Sequence, residues 1–153
     1  MKNKILVSEA KNEALNSYQD AIKITGQQFI NEKMILPQYI DACIDREKDY
    51  PTGLELKNGI GIAIPHGNQK FVKESGISFL RLKQPVNFGL MSDATKQVSC
   101  KFVFNLALFE GEQQLNMLRQ LMGLFRDEKF IDFISKSDLN SIQKFLTQKL
   151  VFK

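Results

Sequence analysis

Apolar and polar positions alternate most regularly between Val98 and Leu108. There Val98, Cys100, Phe102, Phe104, Leu106 and Leu108 interleave with Ser99, Lys101, Val103, Asn105 and Ala107. A period of two predicts a strand, and the half-apolar second set predicts a central one with both faces covered. The same period recurs at Ile60, Ile62 and Ile64, which alternate with Gly61 and Ala63 before Pro65 ends the run. Proline lacks an N–H and stops a ladder. A further strand is predicted over Ile77–Leu82, and Pro85-Val86-Asn87-Phe88 reads as a short edge segment.

Helical spacing occupies both ends of the chain. Ala21, Ile22, Phe29 and Ile30 form one apolar stripe behind an N-cap at Ser17, with Asp20 three residues on as in a capping box. A second helix begins near Pro37, at a first helical position, and carries Ile40, Cys43, Ile44 and Glu47. It ends in the turn Asp49-Tyr50-Pro51-Thr52-Gly53. Leu115, Leu118, Leu121, Met122 and Phe125 mark a helix opened by Gly111 and Glu112. Two more follow, near Glu128–Ser135 and Asp138–Leu150, the last capped by Ser137. Helices flanking a run of strands predict an α/β domain with helices packed on a mixed sheet.

Composition narrows the class. The 153 residues suit one domain, 1–153, and 43% hydrophobic with 25% charged residues is an ordinary globular balance. No apolar run approaches the ~20 residues of a membrane span, and the N-terminal stretch has no leader pattern, so a cytoplasmic protein without membrane insertion is expected. The formal charge is +4. Its lysines are scattered singly with no basic stripe, which argues against a nucleic-acid partner. Two cysteines, Cys43 and Cys100, and one histidine give neither a disulfide framework nor a metal site, and no cofactor is expected.

That single histidine is His66, in Ile64-Pro65-His66-Gly67. A strand end beside Gly59, Gly61 and Gly67 is a rigid mount facing solvent, with glycines keeping the approach open to a partner. Imidazole titrates near neutral pH, so His66 is either a reactive group or a plain turn histidine.

Asp45-Arg46-Glu47, Pro51-Thr52-Gly53-Leu54-Glu55-Leu56 and Gly61-Ile62-Ala63-Ile64-Pro65-His66 together resemble the enzyme IIA components of the bacterial phosphotransferase system. The resemblance is to the fructose–mannitol superfamily and runs from about Leu6 to Leu150. Residues 51–56, with Pro85-Val86, Phe88 and Met91, resemble its galactitol-type branch most. It implies a mixed five-stranded sheet flanked by helices. It also implies a phosphotransferase: phosphate arrives from the histidine phosphocarrier protein, rests on His66 and leaves to a cysteine of a IIB component. That IIB works with a membrane IIC component that binds the sugar or polyol. A free-standing regulatory module with the same phosphorylatable histidine is the alternative.

Through the resemblance, Arg46 lies against the phosphoryl group, where its planar guanidinium fork suits phosphate. On residues alone it is a cation covering a helix C-terminus or pairing with a surface acid. Gln114 stands where mannitol-type members carry a second histidine; otherwise it is a surface glutamine. Thr52 and Gly67 are candidate phosphate contacts, and Thr52 is alternatively a turn former. Glu47 pairs with Arg46 or faces water.

Overall fold

The computed structural model describes residues 4–10 and 15–153. Among these residues five strands form one mixed sheet: β1 (Ile5–Ala10), β2 (Gly53–Glu55), β3 (Gly61–Ala63), β4 (Gly76–Leu90) and β5 (Asp93–Ala107). Five α-helices of the described residues flank it: α1 (Tyr18–Asn31), α2 (Gln38–Asp49), α3 (Gly111–Phe125), α4 (Glu128–Lys136) and α5 (Leu139–Lys149). The α/β architecture expected from the pattern is the one observed.

β4 and β5 form a long antiparallel hairpin at the centre. β1 adds to β4 in parallel, with Ile5 opposite Ile77. β3 adds to β5 in parallel, β2 pairs antiparallel with β3, and Gly53 of β2 meets Leu90 at the far end of β4.

Each sheet face has its own core. Ile77, Phe79, Phe102, Phe104 and Leu106 pack under α3, α4 and α5, through Met117, Leu121, Phe130, Ile134 and Ile142. Leu80, Leu82, Val86, Phe88, Val98, Cys100 and Val103 pack under α1 and α2, through Ile22, Phe29, Tyr39 and Cys43. The Phe79 and Phe104 rings meet tilted, with centroids 5.0 Å apart, and Phe104 meets Phe125 at 5.3 Å.

Several expectations change at this level. The β5 residues do not share one face. Val98 and Cys100 lie on the α1/α2 side, but Phe102, Phe104, Leu106 and Leu108, from the same alternating set, lie on the other. The β4–β5 register shifts between Arg81 and Val86, where Arg81 opposes Phe102 and Val86 opposes Cys100. A bulge of this kind turns the following side chains to the opposite face. Pro85–Phe88 is likewise no separate edge segment but part of the continuous β4. β1 is an element the periodicity did not announce. The cap of α5 is Asp138 rather than Ser137, and Pro37 is the N-cap of α2 rather than its first helical residue. Ser17 stands at the N-cap position of α1, but its side chain makes no capping bond, and the Asp20 carboxylate accepts from Asn16 N–H (3.0 Å) instead of closing the box.

Gly61 is also reassigned. A Cβ there would lie 2.2 Å from the Ser99 carbonyl oxygen, so this glycine lets β3 close against β5 and opens no approach to His66. Gly59, at φ +80°, makes the tight turn between β2 and β3. Both cysteines are buried and unpaired.

Candidate functional site

The sheet places His66 where β3 has just ended. Pro65 cannot donate, but its carbonyl accepts Leu106 N–H at 2.9 Å and His66 makes a lone parallel bridge to Leu106. The histidine is thereby fastened to the central strand. It is 7% exposed, so the expected solvent-facing imidazole is instead tucked into the floor of a cleft.

That cleft has a volume of ≈ 570 Å³, is open to solvent, and is lined by Asp45, Arg46, His66, Gly67, Gly111 and Gln114 among others. Three elements meet there: the last turn of α2, the segment after β3, and the first turn of α3. Arg46, His66 and Gln114, expected from sequence to act together, are brought to one wall-and-floor arrangement.

The imidazole is chemically defined. Its Nδ1 lies 3.1 Å from the Ile64 carbonyl oxygen, which can only accept, so Nδ1 carries the proton. Nε2 is left with its lone pair and, among the described residues, no hydrogen-bond partner. Burial lowers the histidine pKa below its usual 6.5, and the nearby Arg46 charge lowers it further, against the raising effect of the Ile64 carbonyl. At neutral pH the ring is a neutral, single-tautomer nucleophile.

Arg46 is exposed, with its guanidinium 5.3 Å from the centroid of the Tyr50 ring. Stacking of this kind keeps a long cationic side chain over a preferred area of surface. The first turn of α3 supplies the opposite wall. Gln114 N–H makes the first helical bond, to Glu110, and the preceding amides of the turn point toward the N-terminal end, the usual complement of an anion. Gln113, which the sequence reading passed over, fixes this turn: its Oε1 accepts from Phe109 N–H (3.1 Å) and Ser75 Oγ (2.7 Å).

Of the two candidate phosphate contacts, Thr52 and Gly67, only Gly67 shares the cleft with Arg46 and Gln114. Thr52 is buried and does not line the cleft. Its N–H and hydroxyl both go to the Glu47 carboxylate, at 2.6 and 2.8 Å, and its hydroxyl oxygen accepts Ile64 N–H at 3.2 Å. Glu47 therefore neither pairs with Arg46 at the surface nor faces water, because α2 turns it inward. Burial raises its pKa to about 7, moderated by the two Thr52 bonds and by Arg46. Gly67 lines the cleft, but its N–H is donated to the Tyr39 hydroxyl at 3.1 Å.

Tyr39 and Asn105 are the other residues missed in the sequence. The Tyr39 hydroxyl shares its proton between Leu106 O (2.6 Å) and Asn105 Oδ1 (3.1 Å), and Asn105 Nδ2 donates to Thr25 Oγ1 (3.0 Å). This buried chain ties α1, α2 and β5 to the residue after His66. An asparagine inside the most apolar strand was the signal available, since a buried amide needs partners.

Among the described residues, no group of three or more His, Cys, Asp or Glu side chains could hold a metal. No helix among them is long and apolar enough to cross a membrane.

Comparison with known proteins bears on what this arrangement does. The family model described as phosphoenolpyruvate-dependent sugar phosphotransferase system, EIIA 2, matches residues 4–149. A mannitol-specific phosphotransferase enzyme IIA component of Enterococcus faecalis is 32% identical over 124 residues, covering 79% of this chain and 80% of that protein. The galactitol-specific EIIA component of Escherichia coli K12 is 27% identical, over 80% of this chain and 81% of its own length. Identity thus does not single out the galactitol-type branch. Among solved structures, IIA mannitol from E. coli superposes with a TM-score of 0.70 at 23% identity, covering 94% of this chain and 96% of that one. The nitrogen regulatory protein IIA-Ntr of Neisseria meningitidis gives 0.67 at 21%, over 94% and 93%, so the same fold also serves a protein with a regulatory name.

Proposed function

Because this chain belongs to the EIIA 2 family of the phosphoenolpyruvate-dependent sugar phosphotransferase system, we propose that it is a phosphocarrier whose His66 Nε2 accepts a phosphoryl group and passes it on. The observation that carries the reading is the unpartnered, deprotonated Nε2 at the floor of a cleft shared with Arg46 and the first turn of α3.

In the first step Nε2 attacks phosphorus and the N–P bond of the donor, the phosphorylated histidine phosphocarrier protein, breaks with its electron pair returning to the donor ring. Nδ1 keeps its proton throughout, so the phosphorylated ring carries positive charge, which the Ile64 carbonyl dipole stabilises. Phosphoryl transfer needs in-line placement and charge stabilisation more than covalent help. Arg46 and the α3 amides supply the second, and Gln114 can add a neutral hydrogen bond to the same oxygens. In the second step a thiolate of a IIB component attacks phosphorus and the His66 N–P bond breaks. A complex between E. coli enzyme IIA mannitol and phosphorylated enzyme IIB mannitol is among the structures that share this fold, at a TM-score of 0.69.

The transport system served is of the polyol type, and Gln114 keeps the galactitol-type branch in view, since the resemblance to mannitol-type members implies a second histidine there. The membrane component, not this domain, binds the polyol.

The experiment is a relay. The protein is incubated with phosphoenolpyruvate, enzyme I and the histidine phosphocarrier protein, then offered galactitol-type and mannitol-type IIB proteins while phosphate is followed by intact mass. Uptake that is acid-labile, absent from His66→Ala and discharged to a IIB supports the reading. Phosphate retained on folded His66→Ala refutes the assignment of His66. Phosphorylation on His66 that no IIB discharges would point to the regulatory alternative.

A further inference from the structure

His66 is held in one tautomer by a single carbonyl, so what fixes that carbonyl matters to the reaction. The carbonyl belongs to Ile64, which lies beyond the last residue of β3 and before a proline. Its own N–H is not taken by a ladder partner. It is 1% exposed and would be an orphaned buried donor without a special acceptor. That acceptor is the Thr52 hydroxyl oxygen, at 3.2 Å.

A threonine hydroxyl can rotate, and an acceptor that rotates fixes nothing. Here it cannot, because its proton is committed to Glu47 Oε1 at 2.8 Å while Thr52 N–H binds Glu47 Oε2 at 2.6 Å. Both carboxylate oxygens are used by one residue, across the turn between α2 and β2. The fork is short, buried on both sides (Glu47 4%, Thr52 3% exposed), and geometrically closed. Glu47 is the residue after Arg46. The helical turn that delivers the guanidinium to the cleft therefore also anchors the carbonyl that holds the imidazole.

We infer that Glu47, acting through Thr52 and the Ile64 backbone, is a positioning residue that sets the His66 tautomer and ring orientation for phosphoryl uptake. It touches neither the phosphoryl group nor the ring. Its effect lies on the placement of Nε2, and a misplaced nucleophile loses rate rather than affinity for the donor protein. The proposal rests on His66 being the phosphoryl acceptor. Its tautomer component can be read without any transfer.

Three variants, compared well above pH 7 so that Glu47 is a carboxylate, test it: Glu47→Gln, which can accept only one of the two Thr52 bonds; Thr52→Val, which keeps shape and amide but deletes the hydroxyl; and Thr52→Ser, which keeps the hydroxyl. Imidazole 15N shifts report the tautomer, and single-turnover uptake across a range of phosphorylated donor concentrations separates maximal rate from half-saturation. The wild type and Thr52→Ser are expected to show His66 with Nδ1 protonated. Glu47→Gln and Thr52→Val are expected to show mixed tautomers and a maximal rate lower by roughly ten- to hundredfold, with half-saturation unchanged. A merely structural role would lower the unfolding midpoint and leave tautomer and rate alone in the folded protein. That result in Thr52→Val, which preserves volume and should fold even if Glu47→Gln does not, overturns the inference. Failure of the wild type to take up phosphate would overturn the phosphocarrier reading instead, and the 15N comparison would still decide the role of Glu47.

Discussion

Replacing Tyr39 with phenylalanine removes one oxygen atom from a fully buried position and leaves the ring in place. That oxygen serves three groups at once: it donates to Leu106 O, lies within bonding distance of Asn105 Oδ1, and accepts Gly67 N–H. Leu106 and Asn105 are inaccessible to water, so their oxygens lose a partner that solvent cannot replace. Gly67 is partly exposed, and water entering from the cleft can serve its amide. Leaving a buried acceptor unsatisfied costs about 1–3 kcal/mol. Two such acceptors partly share one proton here, so the expected loss is about 2–4 kcal/mol rather than a full double penalty. Urea unfolding is the assay. With a slope of about 2 kcal/mol/M, the middle of the usual range, the midpoint should fall by about 1–2 M at unchanged slope. The hydroxyl also holds the residue after His66, so phosphoryl uptake by the folded variant should slow as well. A midpoint within error of wild type would refute the reasoning, by showing that the network relaxes around the missing oxygen.

Arg46→Ala should slow phosphoryl uptake roughly ten- to hundredfold and barely move the unfolding midpoint, since the side chain is exposed; an unchanged rate would make it an ordinary surface cation. Gly61→Ala should cost about 1–3 kcal/mol in unfolding free energy, because its methyl meets the Ser99 backbone at 2.2 Å. Gly123→Ala, inside α3 with nothing within 4 Å, should stabilise by up to about 1 kcal/mol; the two midpoints moving in the same direction would contradict the packing. Glu47, with a pKa raised from 4.5 to about 7, binds a proton in the folded state that the unfolded chain has released in that window. Its contribution to stability therefore falls as pH rises from 4.5 through about 7. The groups around it, Arg46 and Cys43 on α2, Tyr18 on α1 and Cys100 on β5, are common to wild type and Glu47→Gln. The stability difference, wild type minus variant, should drop by on the order of 2–3 kcal/mol across that window, and a pH-independent difference would rule out a buried titrating Glu47.

What could be read in the chain was what is encoded locally. Alternation that stops at a proline, followed by the only histidine, needs no knowledge of the rest of the fold, and the family resemblance nominates Arg46 and Gln114, which line the same cleft as His66. The facing of Cys100 was not readable, because a bulge belongs to a pair of strands and leaves no mark on the periodicity of either. β1 is six residues without turn signals, and only its partner β4 makes it a strand. The inward turn of Glu47 was hidden for a similar reason. A charged side chain in the last turn of a helix ordinarily points to water, and this one is drawn inside by a threonine five residues on. Thr52, a candidate phosphate contact by sequence, has its hydroxyl taken by Glu47 and Ile64.

The pairing of β1 also shapes the order in which the molecule can assemble. β4 and β5 meet through a short connection and can zip early. β1 finds its neighbour only across the span joining Ser8 to Phe79, 71 residues on. It is then covered by α5, whose Gln143 side chain reaches the Ile5 carbonyl across 138 residues. Closing such loops costs entropy before any contact repays it, which places this topology among slower folders, in the millisecond-to-second range. During synthesis the apolar strand Ile5-Leu6-Val7 must wait for β4 to leave the ribosome, and longer still for the helix that shields it. In that interval it is an unpaired strand edge with both ladders open, the state in which a chain is most exposed to pairing with a neighbour.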